Sequence, residues 1–334
     1  MDELRRPYLL FLGDAPDRLA AKTAIGVLTW RPDWCLGQVP LPGCQAVLDL
    51  PPMSPTEAAA QGAGTLVIGV ANAGGVIGES WLGVLEEALA AGLDVASGLH
   101  QRLDGIPRLR AAAADGGTRL VEVRIPSRGF PVGTGEPRPG KRLLTVGTDC
   151  SVGKMYTTLA LERDMQARGM AATFRATGQT GILIAGGGVA VDAVVADFIS
   201  GAIEWLAPAN APDHWDLIEG QGSLFHPSYA GVSLGLLHGA QPDALVLCHE
   251  PTRTQMRGLP KRGLPDLGRC VAANEDAARL TNPAARCVGV AVDTSRLQRS
   301  AGRALLAEIG DRLGLPCVDP MIEGTGPILD RLFQ

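Results

Sequence analysis

Residues 144–158, "LTVGTDCSVGKMYTT", constrain the fold of this chain more than any other stretch. Apolar residues lead into Gly147, five residues separate it from Gly153, Lys154 follows at once, and helix-compatible residues continue to Gly169. A strand, a glycine loop and a helix in that order turn backbone N–H groups and a helix N-terminus toward one point, where an anion is held and a lysine adds a point charge. The common phosphate loop has four residues between its glycines. The form here, with Thr148, Asp149, Cys150, Ser151 and Val152 in between, keeps the same physics. Gly147, Thr148, Asp149, Cys150, Ser151, Val152, Gly153, Lys154 and Met155 are therefore the expected phosphate-binding residues. The plain alternative is a glycine-rich turn that holds a lysine by coincidence, and the strand before it and the helix after it speak against that.

The rest of the chain repeats the α/β pattern, which predicts mostly parallel sheets with helices between the strands. Aromatics make up only 4% of the 334 residues while glycines number 43, as suits many tight strand-to-helix turns. Before the loop, "YLLFLGD" (8–14), "QAVLDL" (45–50), "TLVIGVANAGG" (65–75), "LDVASGLH" (93–100) and the alternating Val121, Val123 and Ile125 read as strands. The turn "ANAGG" (71–75) lacks the spacing of a dinucleotide fingerprint, and turn chemistry alone explains its glycines. After the loop, "AATFRATG", "DLIEGQGS", "ALVLCHEP", "RCVGVAVDT" and "PCVDP" continue the series. Between the halves, "PSRGFPVGTGEPRPG" (126–140) carries four prolines and four glycines and can continue neither a helix nor a central strand. The division read from the sequence is a first domain over 1–126, a linker over 127–140 and a second domain over 141–334.

Several classes are excluded. A net charge of −5 argues against a broad nucleic-acid surface. The seven cysteines are odd in number and none falls in a C-x-x-C spacing, so reduced thiols in a cytoplasmic protein are expected, with no disulfide framework or zinc site. The start, "MDELRRPYLL", lacks the apolar run of a signal peptide, and Gly and Asn interrupt the most apolar windows before about 18 residues, so no membrane span is expected. Small-molecule substrates and a homo-oligomer are the expected partners.

The five-residue loop resembles that of dethiobiotin synthetase and its relatives among the P-loop proteins. In that group a strand ending in Glu-Gly sits beside the phosphate loop and can hold magnesium, and "WDLIEGQGS" (215–223) ends in this way at Glu219. Met155, however, stands where the magnesium-binding hydroxyl belongs, and Thr157 and Thr158 are one helical step out of place. A ligand that offers phosphates as a handle fits such a loop better than one whose phosphate reacts, and coenzyme A is a ligand of that kind.

"GTDCSVGKM", "RATGQTGILIAGGGVAVDAVVADFISGAIEWL" and "IEGQGSLFHPSYAGVSLGLLHGAQPDALVLCHEPTR" together resemble the D-glutamate N-acetyltransferase family. The resemblance covers nearly the whole chain and is most specific over 141–256. It implies an N-terminal Rossmann-like domain, a C-terminal P-loop domain, and acetyl transfer from acetyl-CoA to the amino group of D-glutamate, in D-amino-acid catabolism. It also implies that the methionine after the lysine belongs to the family pattern and that no metal is required. The alternative function is an ATP- and magnesium-dependent ligase or kinase of the dethiobiotin synthetase type, supported by the loop and Glu219 and opposed by Met155.

Attack of an amine on a thioester needs a general base. Asp192, Asp197, Glu219, His226 and His249 are the candidates. Asp192 and Asp197 lie five apart and would not share one helical face; His226 in "GSLFHPS" is a loop histidine that either accepts a proton or is simply hydrogen-bonded. Cys150 sits where loop dipoles would lower a thiol pKa, but bound phosphates would repel its thiolate, so a plain loop residue is the expectation. The two carboxylates of D-glutamate call for arginine. Arg175 with Thr177, Gln179 and Thr180 in "FRATGQTG", and Arg253 in "HEPTR", are the expected substrate-binding residues, with Arg257 a further candidate.

Overall fold

The computed structural model of the chain describes residues 3–126 and 128–334. The chain divides into two compact units, one of Met1–Arg128 with Gly178–Ala193, the other of Gly129–Thr177 with Val194–Gln334.

The first unit is built on β1 (Tyr8–Gly13), β2 (Cys35–Pro40), β3 (Thr65–Ile68), β4 (Asp94–Ser97) and β5 (Leu120–Glu122), in the order β2-β1-β3-β4-β5. Every pairing is parallel. β1, β3 and β4 are buried end to end, so they read as near-continuous runs rather than alternations. Helices α1 (Lys22–Trp30), α2 (Pro55–Ala60), α3 (Leu82–Ala90) and α4 (Pro107–Gly116) connect them. Leu9, Phe11, Leu66, Ile68, Leu85, Leu89 and Leu109 form part of one core. The buried carboxylate of Asp94 is compensated by guanidinium groups of Arg5 and Arg119.

The run "QAVLDL" (45–50), expected as a strand, forms none; β2 lies instead at Cys35–Pro40. The buried amide of Gln38 explains this. Its Nε2 donates to Leu48 O at 2.9 Å and Leu50 O at 2.6 Å, and its Oε1 accepts Leu48 N–H at 3.0 Å. One side chain thus supplies the partners that a neighbouring strand would have supplied. The alternation at Val121, Val123 and Ile125 yields only the short β5, because the chain turns there and Ile125 N–H bonds back to Glu122 O.

The second unit opens with β6 (Lys141–Gly147) and α5 (Lys154–Ala167), which flank the glycine loop, and continues to β7 (Ala172–Arg175). The chain then makes α6 (Gln179–Ala185), and this helix belongs to the first unit. It packs on α1, and Gly186 O accepts Leu4 N–H at 2.9 Å. A division read along the sequence cannot foresee this excursion, since Ile182, Leu183 and Ile184 are apolar on every side and look like core wherever they are placed. The remaining elements are α7 (Ile199–Leu206), β8 (Trp215–Ile218), α8 (Ala230–Ala240), β9 (Ala244–His249), the hairpin β10 (Gln255–Met256) and β11 (Leu259–Gly263), α9 (Leu267–Arg279), β12 (Arg286–Val292), α10 (Arg299–Leu313), β13 (Cys317–Val318) and α11 (Gly326–Leu332).

Six of these strands make a parallel sheet in the order β13-β12-β9-β6-β8-β7, apart from the antiparallel hairpin. β6 lies between β8 and β9, with Leu144 opposite Ile218 and Gly147 opposite Cys248. The carboxyl ends of these central strands therefore bring the loops after Gly147, Ile218 and His249 together, where parallel sheets place their ligands.

Residues 128–140 form no helix or strand, and Ser127, the first residue of the expected linker, lies outside the described residues. Part of this stretch is tied down within the second unit: Thr134 and Gly135 N–H donate to the Glu204 carboxylate at 2.9 and 2.8 Å. No described helix is long and apolar enough to cross a membrane.

Candidate functional site

The glycine loop forms as its spacing predicts. Gly153 takes a left-handed φ of 89° as the N-cap of α5, a conformation that favours glycine. Ser151 has a φ of 52°, a strained value for a residue with a Cβ. Gly220, just after β8, packs so closely that an added Cβ would collide with Thr145 O, and its N–H donates to Thr145 Oγ1 at 3.0 Å. That approach brings the Glu219–Gly222 turn against the loop. The first-turn N–H groups of α5 have no intrahelical acceptor, so the helix end presents donors to an anion.

Lys154 spans the two turns. Its Nζ donates to Asp149 O at 2.8 Å and Gly222 O at 2.9 Å. The side chain is only 6% exposed, and burial pushes its pKa below the ordinary lysine value, against the attraction of nearby groups that include Glu219. Two of its three N–H donors are thus satisfied by carbonyl dipoles. Glu219, also buried, accepts Thr177 N–H at 3.0 Å through Oε2 and Gln221 Nε2 at 3.1 Å through Oε1. Lys154, Met155, Ser151, Glu219 and Gln221 line one cavity of about 440 Å³.

The hydroxyls that might replace the one missing at Met155 are turned inward. Thr158 Oγ1 donates to Lys154 O at 2.8 Å and pairs with Thr145 Oγ1 at 2.9 Å; Thr157 Oγ1 accepts from buried Cys248 Sγ at 3.5 Å. Neither lines this cavity. Glu219 and Asp293 supply carboxylates to this cavity, but with methionine at position 155 and both threonine hydroxyls engaged, the hydroxyl that normally begins a loop-bound magnesium shell is missing.

A clamp holds the loop from the other side. Asp149 is fully buried. Its Oδ1 accepts Cys150 N–H at 2.7 Å, while Oδ2 accepts Arg253 Nη1 at 3.0 Å and Arg257 N–H at 2.8 Å. Arg253 donates further to Cys150 O at 2.7 Å and to Ser151 O, and Arg257 Nη1 donates to Ser151 Oγ. Buried His226 joins this network: Nδ1 accepts Ser228 N–H at 3.2 Å, which leaves the proton on Nε2 to donate to Arg257 O at 3.1 Å. Asp149, Cys150 and His226 bring possible ligand atoms within 4.8 Å of one another. With both His226 nitrogens and both Asp149 oxygens engaged beside a guanidinium, the cluster fastens the hairpin to the loop rather than offering lone pairs to a cation. Burial also pushes the Cys150 thiol above its ordinary value, which disfavours a thiolate.

The expected residues separate accordingly. The structure unites Gly147–Met155, Glu219 and Thr177, whose Oγ1 donates to Glu219 O at 2.5 Å. It gives Arg253 and the Asp149 carboxylate to the clamp, and both ring nitrogens of His226 are hydrogen-bonded there, as in the second of the two readings its loop position allowed. Arg175 is turned to buried Asp216, Nε to Oδ1 at 2.7 Å, so its fork is directed at an internal carboxylate. Asp192 and Asp197 lie on two separate 3₁₀ turns, not one helix; Asp192 pairs with Arg124 at 2.5 Å and Asp197 is exposed. Asp192, Gln179 and Thr180 belong to the first unit, apart from the loop's own. His249 accompanies the loop, its Nδ1 3.0 Å from Thr148 Oγ1. The sequence reading missed Gln221, Tyr156 and Asp293 as cavity residues. For Asp293 the signal was present: it ends an apolar strand run, "VGVAVD", as Glu219 does.

One unit with a parallel sheet and this loop, and another with a parallel sheet of its own, define a P-loop protein with a Rossmann-like second domain. The chain belongs to the DUF1611 family: residues 131–329 match its domain of unknown function described as a P-loop domain, and residues 40–126 match the part described as a Rossmann-like domain. It is 56% identical over 329 residues to a Tritonibacter scottomollicae protein named D-glutamate N-acetyltransferase, covering 98% of this chain and 99% of that one. A Pseudoalteromonas protein of the same name is 48% identical over 330 residues, covering 99% of each. The crystal structure of a DUF1611 family protein from Anabaena variabilis, 31% identical, matches with a TM-score of 0.84 over 99% of this chain and all of that one. The chain is accordingly an enzyme of the acyltransferase class.

Proposed function

We propose that this chain transfers the acetyl group of acetyl-CoA to the amino group of D-glutamate, with the glycine loop gripping the CoA diphosphate. The acceptor rests on the two full-length relatives that carry that activity in their names. The donor rests on one observation: the loop keeps its cradle and Lys154 while the Met155 position and the inward Thr157 and Thr158 offer no hydroxyl for a metal. Such a loop suits anchorage of a diphosphate whose own bonds stay intact. The seven free thiols suit a reducing, cytoplasmic setting.

In the reaction the amine nitrogen bonds to the acetyl carbon, the carbon–sulfur bond breaks, and the CoA thiolate takes the proton that the amine gives up. Glu219 is the carboxylate we assign to receive that proton first: it stands on the cavity wall after β8, the flank left for the pantetheine arm, and is aimed by Thr177 N–H and Gln221.

The test is release of CoA thiol with a panel of D- and L-amino acids. D-Glutamate should stand well above the rest, and no release with it would refute the acceptor assignment. Glu219→Gln should lower kcat by about a hundredfold with CoA affinity kept. Lys154→Ala should weaken CoA binding by about tenfold or more. Steady hydrolysis of a nucleoside triphosphate at a rate matching acetyl transfer would instead favour the ligase or kinase chemistry.

A further inference from the structure

A second cavity, of about 250 Å³, lies beside the cradle within the same unit. The two share Gly153, Tyr156 and Asp293, so a ligand held at the loop can enter it without crossing the sheet. Its walls are largely apolar, from Val152, Ala291, Val292, Pro320, Met321 and Ile322. Among the described residues no lysine or arginine lines it, and its charged groups are Asp293 and Asp319. The Asp319 carboxylate is fully engaged: Oδ2 accepts Thr294 N–H at 2.8 Å and Thr294 Oγ1 at 2.6 Å, and Oδ1 accepts Met321 N–H at 3.0 Å. Asp293 differs. Its Oδ1 accepts Ser295 N–H at 3.1 Å, and its Oδ2 accepts no hydrogen bond among the described residues.

We infer that this cavity seats the adenine of the acyl-CoA, with Asp293 Oδ2 accepting a hydrogen from its 6-amino group; the inference rests on the cradle reading above. The amino-acid acceptor is a poor occupant, because its carboxylates would meet two aspartates and no cation. A flat, uncharged ring with an exocyclic N–H donor satisfies both the apolar walls and the open carboxylate oxygen. The opposite flank of the cradle carries Glu219 and Gln221, so a diphosphate at the loop sends its nucleoside one way and its pantetheine arm with the thioester the other.

Calorimetric titration of the full chain with CoA, ADP and 1,N6-etheno-CoA tests this, in wild type, Met321→Trp, Asp293→Ala and Lys154→Ala. Met321 is 48% exposed at the cavity rim, so a tryptophan there obstructs the cavity with little demand on the core. Met321→Trp should weaken CoA and ADP alike by about tenfold or more. Asp293→Ala should weaken CoA by about tenfold and leave etheno-CoA within about twofold, since the etheno ring removes the amino hydrogens. Wild-type affinity for CoA in both variants would overturn the adenine assignment, and loss of CoA by Lys154→Ala in the same experiment would leave the cradle standing. Weakened CoA with unchanged ADP in Met321→Trp would place the pantetheine arm in the cavity and also overturn it. Unchanged CoA affinity in Lys154→Ala would overturn the cradle reading instead, while Met321→Trp still reports on the cavity. No CoA binding by wild type would remove both.

Discussion

Arg253 Nη1 meets Asp149 Oδ2 at 3.0 Å across 104 positions of sequence, and this pair fixes the phosphate loop to the segment after β9. Asp149 has no exposure to water, and its carboxylate is hydrogen-bonded by this partner and by the Cys150 and Arg257 N–H groups. Arg253→Ala should destabilise the protein by about 2–3 kcal/mol, read from urea midpoints, because it leaves a buried carboxylate short of its cation. Arg253→Lys should recover less than half of that, since one ammonium cannot replace a fork that also reaches Cys150 O and Ser151 O. Full stability in Arg253→Ala would mean the clamp is ornamental.

Gly220→Ala should be costly out of proportion to one methyl group. Its Cβ would strike the Thr145 carbonyl, a backbone atom of the central strand β6. A loss of about 2 kcal/mol or more, with weakened CoA binding, is expected from calorimetric melting and titration. Gly231→Ala is the control: it lies exposed in α8 with nothing within 4 Å of a new Cβ, and should stabilise by about 0.5 kcal/mol.

Met155→Thr restores a hydroxyl at the first turn of α5. Wild-type affinity for CoA or ADP should be the same, within about twofold, in excess magnesium and in EDTA, whereas the threonine variant should bind ADP several-fold more tightly with magnesium. A strong magnesium dependence in wild type would contradict the metal-free cradle.

Cys150→Ser should keep at least about a third of wild-type kcat, because removal of a covalent nucleophile typically costs about a thousandfold or more. Burial holds the thiol above its usual pKa, so alkylation by iodoacetamide should also be slow at neutral pH. A thousandfold loss in the serine variant would establish an acetyl-cysteine route.

His249 gives a pH signature. Burial holds its imidazole below the ordinary histidine value of about 6.5, against the attraction of Glu250. The folded state therefore favours neutral His249, and the unfolded chain takes up the proton first as the pH falls. Stability should decline as pH drops below about 6.5 and be regained above it. His249→Asn should flatten that part of the profile in urea titrations between about pH 7.5 and pH 5; an unchanged slope would assign the acid sensitivity to other groups.

Local chemistry was legible wherever it is local. The left-handed φ at Gly153, the helix beginning at Lys154 and the strand ending before Glu219 all follow from short-range spacing. The site's polar roles were less legible, because a side chain's partner decides its role and the partners are remote. Arg175 is turned to Asp216, 41 residues away, and His226 to Arg257, 31 away. Nothing in "FRATG" or "LFHPS" announces either partner. Gln38 similarly converts the apolar run at 45–50 from a strand into a side-chain-bound segment.

The sequence by itself determined the parallel α/β architecture, the anion cradle and the absence of a hydroxyl after Lys154, since each depends on residue type and spacing within one turn or strand. Tertiary structure alone decided that α6 joins the first unit, that Arg253 and Asp149 form a clamp, and that Glu219, Asp293 and Tyr156 share the cavity walls. The physical reason is strand order: β6 is flanked by β8 and β9, so loops more than sixty residues apart in the chain meet at one edge of the sheet.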